Sequence, residues 1–138
     1  MIEDFKHRDT VEKILGSCRI VAVVGISEKP DRPSFGVASY LQGQGYRIIP
    51  VNPRIENVLG VKAYPDLKSI PFEIDIVEIF RKSEEVAPIV DAAIAIKAKA
   101  IWMQEGVIDE ESAKKAKRAG LDVVMDLCML KEHKKYAK

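Results

Sequence analysis

The residues best placed to do chemistry lie in one stretch, Ile20-Val21-Ala22-Val23-Val24-Gly25-Ile26-Ser27-Glu28-Lys29-Pro30-Asp31-Arg32-Pro33-Ser34-Phe35-Gly36. An apolar, β-branched run ends at a glycine, a polar and basic loop follows, and a serine opens a helical pattern. This is the layout of a phosphate-binding turn at the C-terminal edge of a buried parallel strand. Gly25 lets the backbone turn sharply and come close to a ligand. The amides of Phe35 and Gly36 at the helix start are expected to point outward, where the helix dipole favours an anion by about 0.3–1 kcal/mol. Lys29 adds charge to the loop, and Ser27, Ser34 and Arg32 add donors for phosphate oxygens, Arg32 in bidentate fashion. The compact G-x-G-x-x-G of dinucleotide enzymes is missing, because a long loop separates Gly25 from Gly36. A phosphorylated nucleotide other than the usual dinucleotide fits this pattern. The alternative is local: Ser34 only caps its helix and Arg32 is solvated.

A second position discriminates among nucleotides. Dinucleotide-binding sheets place an acid at the end of the second strand to hold the ribose hydroxyls. Here that end reads Val51-Asn52-Pro53-Arg54. A neutral amide beside an arginine removes the repulsion that a carboxylate would impose on a phosphorylated ribose. NADP-like or 3′-phosphorylated nucleotides are therefore favoured over NAD. Asn-Pro is also an ordinary turn signal, and that alternative stays open.

The remaining reactive side chains do not assemble a catalytic set. His7 lies in a polar N-terminal segment and His133 in a lysine-rich tail, so both read as surface residues. Cys128 follows a strand and reads as a buried, inert thiol. Glu105 lacks a partnering histidine, serine or second acid and reads as structural, and Trp102 sits within a strand pattern and reads as core. No recognised metal-ligand spacing occurs, and nothing unites nucleophile, base and oxyanion donors.

The elements that must position these residues alternate between strand and helix. Asp9-Thr10-Val11-Glu12 has capping-box spacing before a short helix that Gly16 ends. Ile20–Gly25 reads as a central strand buried on both faces. Ser34 is expected to cap the next helix, with Phe35, Val37, Ala38 and Leu41 toward the sheet. Tyr46–Val51 is strand two, and Lys62–Tyr64 is a candidate short third strand. Ile74–Ile79 is the next full strand, and its two acids suggest a face only partly covered. Ser83 is expected to cap a helix to about Lys97, with Pro88 disturbing its first turn. Lys99–Met103 is a strand, Asp109 caps a helix that stops at Gly120, and Leu121–Met125 is the last strand. A short basic helix follows Cys128.

This alternation predicts an α/β, doubly wound, mostly parallel sheet of five to six strands with helices on both faces. With six strands the order is 3-2-1-4-5-6, and ligands sit where strand order reverses. The loop from Ser27 to Ser34, Asn52-Pro53-Arg54, Phe80-Arg81 and Met103-Gln104-Glu105-Gly106 then share one rim. At 138 residues the chain reads as one domain, residues 1–138. Lysine plus arginine (22) nearly cancels aspartate plus glutamate (21), so no nucleic-acid-binding face is implied. No apolar run is long enough to cross a membrane and no signal-peptide core is present. Two unpaired cysteines without an export signal point to a reduced, cytoplasmic setting.

Taken together, several segments resemble a known family. Val24-Gly25-Ile26-Ser27 with Arg32-Pro33-Ser34-Phe35-Gly36-Val37 is similar to the small single-domain CoA-binding proteins of bacteria and archaea. So are Pro50-Val51-Asn52-Pro53, Gly60-Val61-Lys62-Ala63-Tyr64-Pro65, Phe80-Arg81-Lys82-Ser83-Glu84 and Trp102-Met103-Gln104-Glu105-Gly106-Val107. The resemblance implies a Rossmann-like fold shared with the N-terminal CoA-binding domain of the succinyl-CoA synthetase α subunit and with ADP-forming acyl-CoA synthetases. It implies that the Gly25–Phe35 loop, including Ile26 and Pro33, holds the CoA phosphates. The Asn52–Arg54 turn would lie near the nucleotide end, with Phe80-Arg81 and Met103-Gln104 flanking the pantetheine arm. Asp126-Leu127-Cys128-Met129 lacks the arginine and proline often found around that cysteine, which leaves thiol exchange between Cys128 and CoA without support. The domain carrying the synthetases' phosphohistidine is absent from the sequence, so their reaction does not carry over.

Three readings follow. The favoured one is a non-enzymatic module binding coenzyme A or a short acyl-CoA as carrier, sensor or supplier to a separate acyl-CoA-using enzyme. The alternative is an NADP(H)-dependent enzyme or nucleotide-sensing module using the same phosphate loop, with Arg54 on the 2′-phosphate. The third is a scaffold with a vestigial pocket, for which the sequence shows no large apolar surface patch.

Overall fold

A computed structural model describes residues 1–137. A short 3-10 turn, Ile2–Phe5, leads into α1 (Arg8–Ser17), β1 (Ile20–Val24), α2 (Pro33–Gly43) and β2 (Arg47–Val51). Two short strands, β3 (Asn57–Val58) and β4 (Val61–Lys62), and a 3-10 turn at Leu67–Ser69 precede β5 (Ile76–Ile79). A further 3-10 turn, Ser83–Glu85, runs into α3 (Val86–Ala95), followed by β6 (Ala100–Met103), α4 (Glu110–Arg118), β7 (Asp122–Met125) and α5 (Met129–Tyr136). Five strands form one sheet in the order β2-β1-β5-β6-β7, and every pair in it is parallel. The chain leaves β1 in one direction to β2 and returns on the other side through β5, which makes the β1–β5 gap the switch point of the sheet.

Alternation along each strand divides the core into two layers. Val21, Val23, Ile48, Ile76, Trp102 and Val124 pack with α1, α2 and α5. Ala22, Val24, Ile49, Val77, Ile101 and Val123 face the other way, against α3 and α4. Helices therefore cover both faces, and the strands are mostly apolar because neither side meets water. Trp102 is fully buried and its indole N–H donates to the Leu127 carbonyl at 2.8 Å, so it is core.

The candidate third strand did not form as expected. Leu59 and Gly60 both take positive φ (55° and 75°), which folds Asn57–Val58 and Val61–Lys62 into an antiparallel hairpin apart from the main sheet. Only Tyr64 reaches β2. Its N–H donates to the Pro50 carbonyl and its own carbonyl accepts from Asn52 N–H, each at 2.9 Å. Pro65 follows at once and ends the pairing after one bridge.

Several helix starts also differ. His7, not Asp9, precedes the first helical residue of α1, and Asp9 sits in the first turn, where an acid suits the dipole. Gly16 lies within the helix, which continues to Ser17, and a β-carbon there would stand 2.8 Å from the Tyr136 hydroxyl. Arg32 is the N-cap of α2 and Pro33 occupies its first position, so Ser34 is inside the helix rather than its cap. Ser83 opens a 3-10 turn instead of capping α3, and its hydroxyl accepts from Ile108 N–H at 2.9 Å.

Two polar residues are deeper than expected. His133 is buried, its Nδ1 2.8 Å from the Tyr40 hydroxyl and its ring edge-on to Tyr40 and Tyr46; burial lowers its pKa. The Lys/Glu pattern of α5 hid this, because one face of that short helix turns inward. The partly covered face expected of β5 does not exist either. Asp75 tucks its carboxylate under the sheet, accepting from Arg19 and Ile20 N–H at 2.9 Å each. Burial opposes its charge, but those amides and Lys99 outweigh burial and hold its pKa below the usual range.

Glu78 is wholly buried beside Val23 and Trp102, and neither carboxyl oxygen has a hydrogen-bond partner. Burial alone pushes its pKa up to about 8. The folded chain thus holds this proton to higher pH than the unfolded chain does. The contribution of Glu78 to stability is fully present below about pH 4.5, declines as pH rises toward about 8 and is flat above. The total loss is on the order of 5 kcal/mol. Glu78→Gln should remove this slope, so that urea unfolding at pH 5, 7 and 9 shows the variant gaining on wild type as pH rises. Parallel profiles would refute a buried, titrating Glu78.

Candidate functional site

A cavity of about 780 Å³ opens at the C-terminal edge of the sheet, at the switch point. That is within the ~300–1,000 Å³ typical of small-molecule sites. One wall is the end of β1 and its loop, with Val24, Gly25, Ser27 and Arg32; a second is Val51-Asn52-Pro53-Arg54 after β2. The far wall combines Pro65, Asp66 and Leu67 with Arg81 and Glu85 and the Pro88, Ile89 and Ala92 side of α3. A smaller pocket of about 260 Å³ shares Gly25, Ser27 and Arg32 and adds Pro33, Ser34 and Phe80.

The turn at Gly25 is tightly specified. Its φ is +89°, and a β-carbon there would stand 2.5 Å from the Phe80 carbonyl oxygen and 2.6 Å from Arg81 Cδ. Gly25 N–H donates to Val51 and Phe80 N–H to Val24, so both neighbours of β1 anchor the turn. Beyond it the loop bonds to itself. Ser27 N–H donates to Ser34 Oγ at 2.9 Å, and Lys29 N–H donates to Ser27 Oγ at 3.0 Å. Ser34 thus braces the loop while keeping its own hydroxyl proton. Because α2 begins at Pro33, the first-turn amides without an intrahelical acceptor are those of Ser34 and Phe35. Gly36 N–H donates to the Arg32 carbonyl, one residue away from the expected pattern.

Asn52 fastens two rims together. Its Nδ2 donates to the Ile26 carbonyl at 2.8 Å, and its Oδ1 accepts from Arg54 N–H at 2.9 Å. An aspartate would have no proton for Ile26, so this position requires an amide for structural reasons as well as electrostatic ones. Arginines 32, 54 and 81 make one end of the cavity cationic. Among the described residues, Arg32 and Arg54 form no ion pair, whereas Arg81 pairs with Glu85. Asp66 turns its carboxylate to Ser69 N–H at 2.9 Å, capping the 3-10 turn. The opposite end is apolar, formed by Pro65, Leu67, Pro88, Ile89 and Ala92.

Of the residues singled out in the sequence, Gly25, Ser27, Arg32, Val51, Asn52, Pro53, Arg54 and Arg81 line the larger cavity, and Pro33, Ser34 and Phe80 the smaller. Ile26 is fully buried beneath the loop, and Lys29 and Phe35 lie outside both pockets. Met103 and Gln104 do not reach the cavity. Met103 is fully buried, Gln104 is 7% exposed, and Gln104 Oε1 accepts from Met129 N–H. Their rim segment is bonded internally: Glu105 pairs with Lys131, and Gly106 N–H donates to Asp126 at 2.7 Å. That amide first, then Lys6, holds the Asp126 pKa below the usual carboxylate range. Three rim segments converge, not four. The sequence reading did not assign the apolar wall from Pro65 to Ala92 to the site: Ile89 keeps the helical spacing of the core-facing residues of α3, and nothing local shows that it and Ala92, both half-buried, also border an opening. Among the described residues no three His, Cys, Asp or Glu side chains gather as metal ligands.

Comparison with known proteins fits this geometry. Residues 19–134 match the family model described as CoA binding domain. The chain belongs to this CoA-binding domain family. It is 42% identical over 123 residues to Uncharacterized protein YneT of Bacillus subtilis, covering 89% of this chain and 91% of that one. Over 59 residues it is 44% identical to the α subunit of acetate–CoA ligase [ADP-forming] II of Pyrococcus furiosus, which is 42% of this chain but 13% of that subunit. The solved structure of a hypothetical protein from Pyrococcus horikoshii OT3 superposes with a TM-score of 0.93 at 38% identity, covering 98% of this chain and 95% of that one. The Rossmann-like α/β fold is thereby shared with the family, and no helix among the described residues is long and apolar enough to cross a membrane.

The two glycines of the loop separate turn geometry from composition. Gly25→Ala should destabilise by roughly 1–3 kcal/mol, since it adds both left-handed strain and a clash. Gly36→Ala, with nothing within 4 Å of the added carbon, should be neutral or stabilise by up to about 1 kcal/mol. Thermal unfolding of both variants checks this, and equal effects would refute the close approach at Gly25.

Proposed function

We propose that this chain binds coenzyme A or a short acyl-CoA in the larger cavity. The observation that carries the reading is the convergence of Arg32, Arg54 and the start of α2 around the Gly25 turn. The diphosphate sits where the larger cavity meets the smaller pocket, against the Ser34 amide and Arg32, so that helix dipole and guanidinium act together. Arg54, on the neighbouring turn with no carboxylate partner among the described residues, takes the additional ribose phosphate. Leu67, Ile89 and Ala92 offer apolar surface to the base.

Membership in the family supports this ligand over NADP, as does the missing G-x-G-x-x-G. The cavity side chains supply binding groups and no assembled nucleophile and base, so the protein is read as a carrier, sensor or supplier of CoA and not as a catalyst. Similarity to part of an ADP-forming acetate–CoA ligase subunit makes a separate acyl-CoA-using enzyme the natural recipient.

Thermal unfolding with equal concentrations of CoA, dephospho-CoA, NADP and NAD tests the assignment. CoA at 100 times its Kd should add about 2.7 kcal/mol of stability, with dephospho-CoA weaker and both pyridine dinucleotides weaker still. Arg32→Ala should lower CoA affinity about tenfold or more, the loss of a charged hydrogen bond worth roughly 1.5–3 kcal/mol. Arg54→Ala should bring CoA and dephospho-CoA close to equal affinity. A shift produced by NADP alone would overturn the reading.

A further inference from the structure

Of the three arginines on the cavity wall, Arg81 is the one already engaged by an acid. Its Nε donates to Glu85 Oε2 at 2.7 Å, and Nη2 stands 2.6 Å from the same oxygen as an ion pair, across a single turn of backbone. Glu85 itself lines the same cavity. The Arg81 stem runs over the Gly25 turn, close enough that a β-carbon on Gly25 would meet its Cδ at 2.6 Å. The guanidinium is therefore held beside the proposed diphosphate position, but its charge is spent on a neighbouring carboxylate.

Such a pair is easily exchanged. Arg81 and Glu85 side chains are 47% and 37% exposed, and solvated ion pairs are weak. A diphosphate carries two negative charges over four non-bridging oxygens, against one over two for a carboxylate, and it matches the guanidinium fork equally well. A ligand diphosphate arriving at the Gly25 turn would take the Nε–Nη2 edge of Arg81 only by displacing Glu85. It would also leave an unpaired carboxylate facing the ligand.

We propose that Glu85 is an internal competitor for the ligand's phosphate, holding Arg81 so that binding requires an exchange and release is assisted by re-formation of the pair. This rests on the reading of the cavity as a CoA site, and it assigns Glu85 a role in setting affinity where a simple cationic cleft would bind as tightly as its arginines allow. A site with this device suits a protein that hands its ligand on.

Calorimetric titration of CoA into wild type, Glu85→Gln, Arg81→Ala and the double variant tests it, with stopped-flow release rates for wild type and Glu85→Gln. Glu85→Gln should bind CoA about 3- to 20-fold tighter and release it correspondingly more slowly. In the Arg81→Ala background the same change should alter affinity less than twofold. Both positions are partly exposed, so unchanged circular dichroism and melting temperature confirm intact folding; Glu85→Ala serves as the second variant. Unaltered affinity of Glu85→Gln alongside normal wild-type binding would overturn the competitor role alone. An equal gain with and without Arg81 would overturn it too, reducing Glu85 to simple repulsion. Absence of CoA binding by wild type and Glu85→Gln alike would overturn the reading of the cavity itself.

Discussion

The candidate site depends on one crowded turn. β1 ends between two parallel neighbours, and the chain must leave the sheet there without colliding with the strand beside it. Gly25 does this at φ +89°, in space that the Phe80 carbonyl and Arg81 stem leave too small for a β-carbon. Hydrogen bonds from Gly25 to Val51 and from Phe80 to Val24 tie the turn to β2 on one side and β5 on the other. Those two contacts bring Asn52–Arg54 and Phe80–Arg81 to opposite edges of the same opening. The cavity is thus a consequence of how the sheet changes direction, and its charge comes from what the three loop segments carry there.

Loop order is maintained by side chains that resemble ligand contacts in sequence. Ser34 accepts from Ser27, Ser27 from Lys29, and Asn52 joins the Ile26 carbonyl to the Arg54 amide. These bonds fix the loop before any ligand arrives, which lowers the ordering cost of binding. The same economy explains the closed fourth segment, where Asp126 and Met129 satisfy the Gly106 amide and the Gln104 side chain. Away from the rim the interior holds one anomaly, Glu78, a carboxyl placed among Val23, Trp102 and their neighbours with no partner. Its neutral form suits that setting and its charged form does not.

Strand and helix identities were legible because buried parallel strands and sheet-facing helices leave strong apolar patterns. Ile20–Val24 and Ala100–Met103 are continuous hydrophobic runs, and Val86, Val90 and Ala93 keep helical spacing. The turn that opens the cavity was legible from Gly25, which ends β1 where the chain must leave the sheet. What stayed hidden depends on partners remote in sequence. Tyr64 makes one bridge instead of a strand because the Leu59–Gly60 turn lies upstream of it and Pro65 follows it. His133 is buried because α5 lays it against Tyr40 and Tyr46. Met103 and Gln104 end a strand at the correct edge, yet residues beyond β7 close over that end.

The proposed ligand, a cofactor with two linked phosphates and a third on its ribose, would meet the start of α2 together with Arg32 and, through its third phosphate, Arg54. A crystal structure of the protein bound to coenzyme A tests this most directly. The account predicts the diphosphate within hydrogen-bond distance of the Ser34 amide and Arg32, with the ribose phosphate beside Arg54. Coenzyme A lodged anywhere else on the molecule, with no phosphorus near the Gly25 turn, would contradict it.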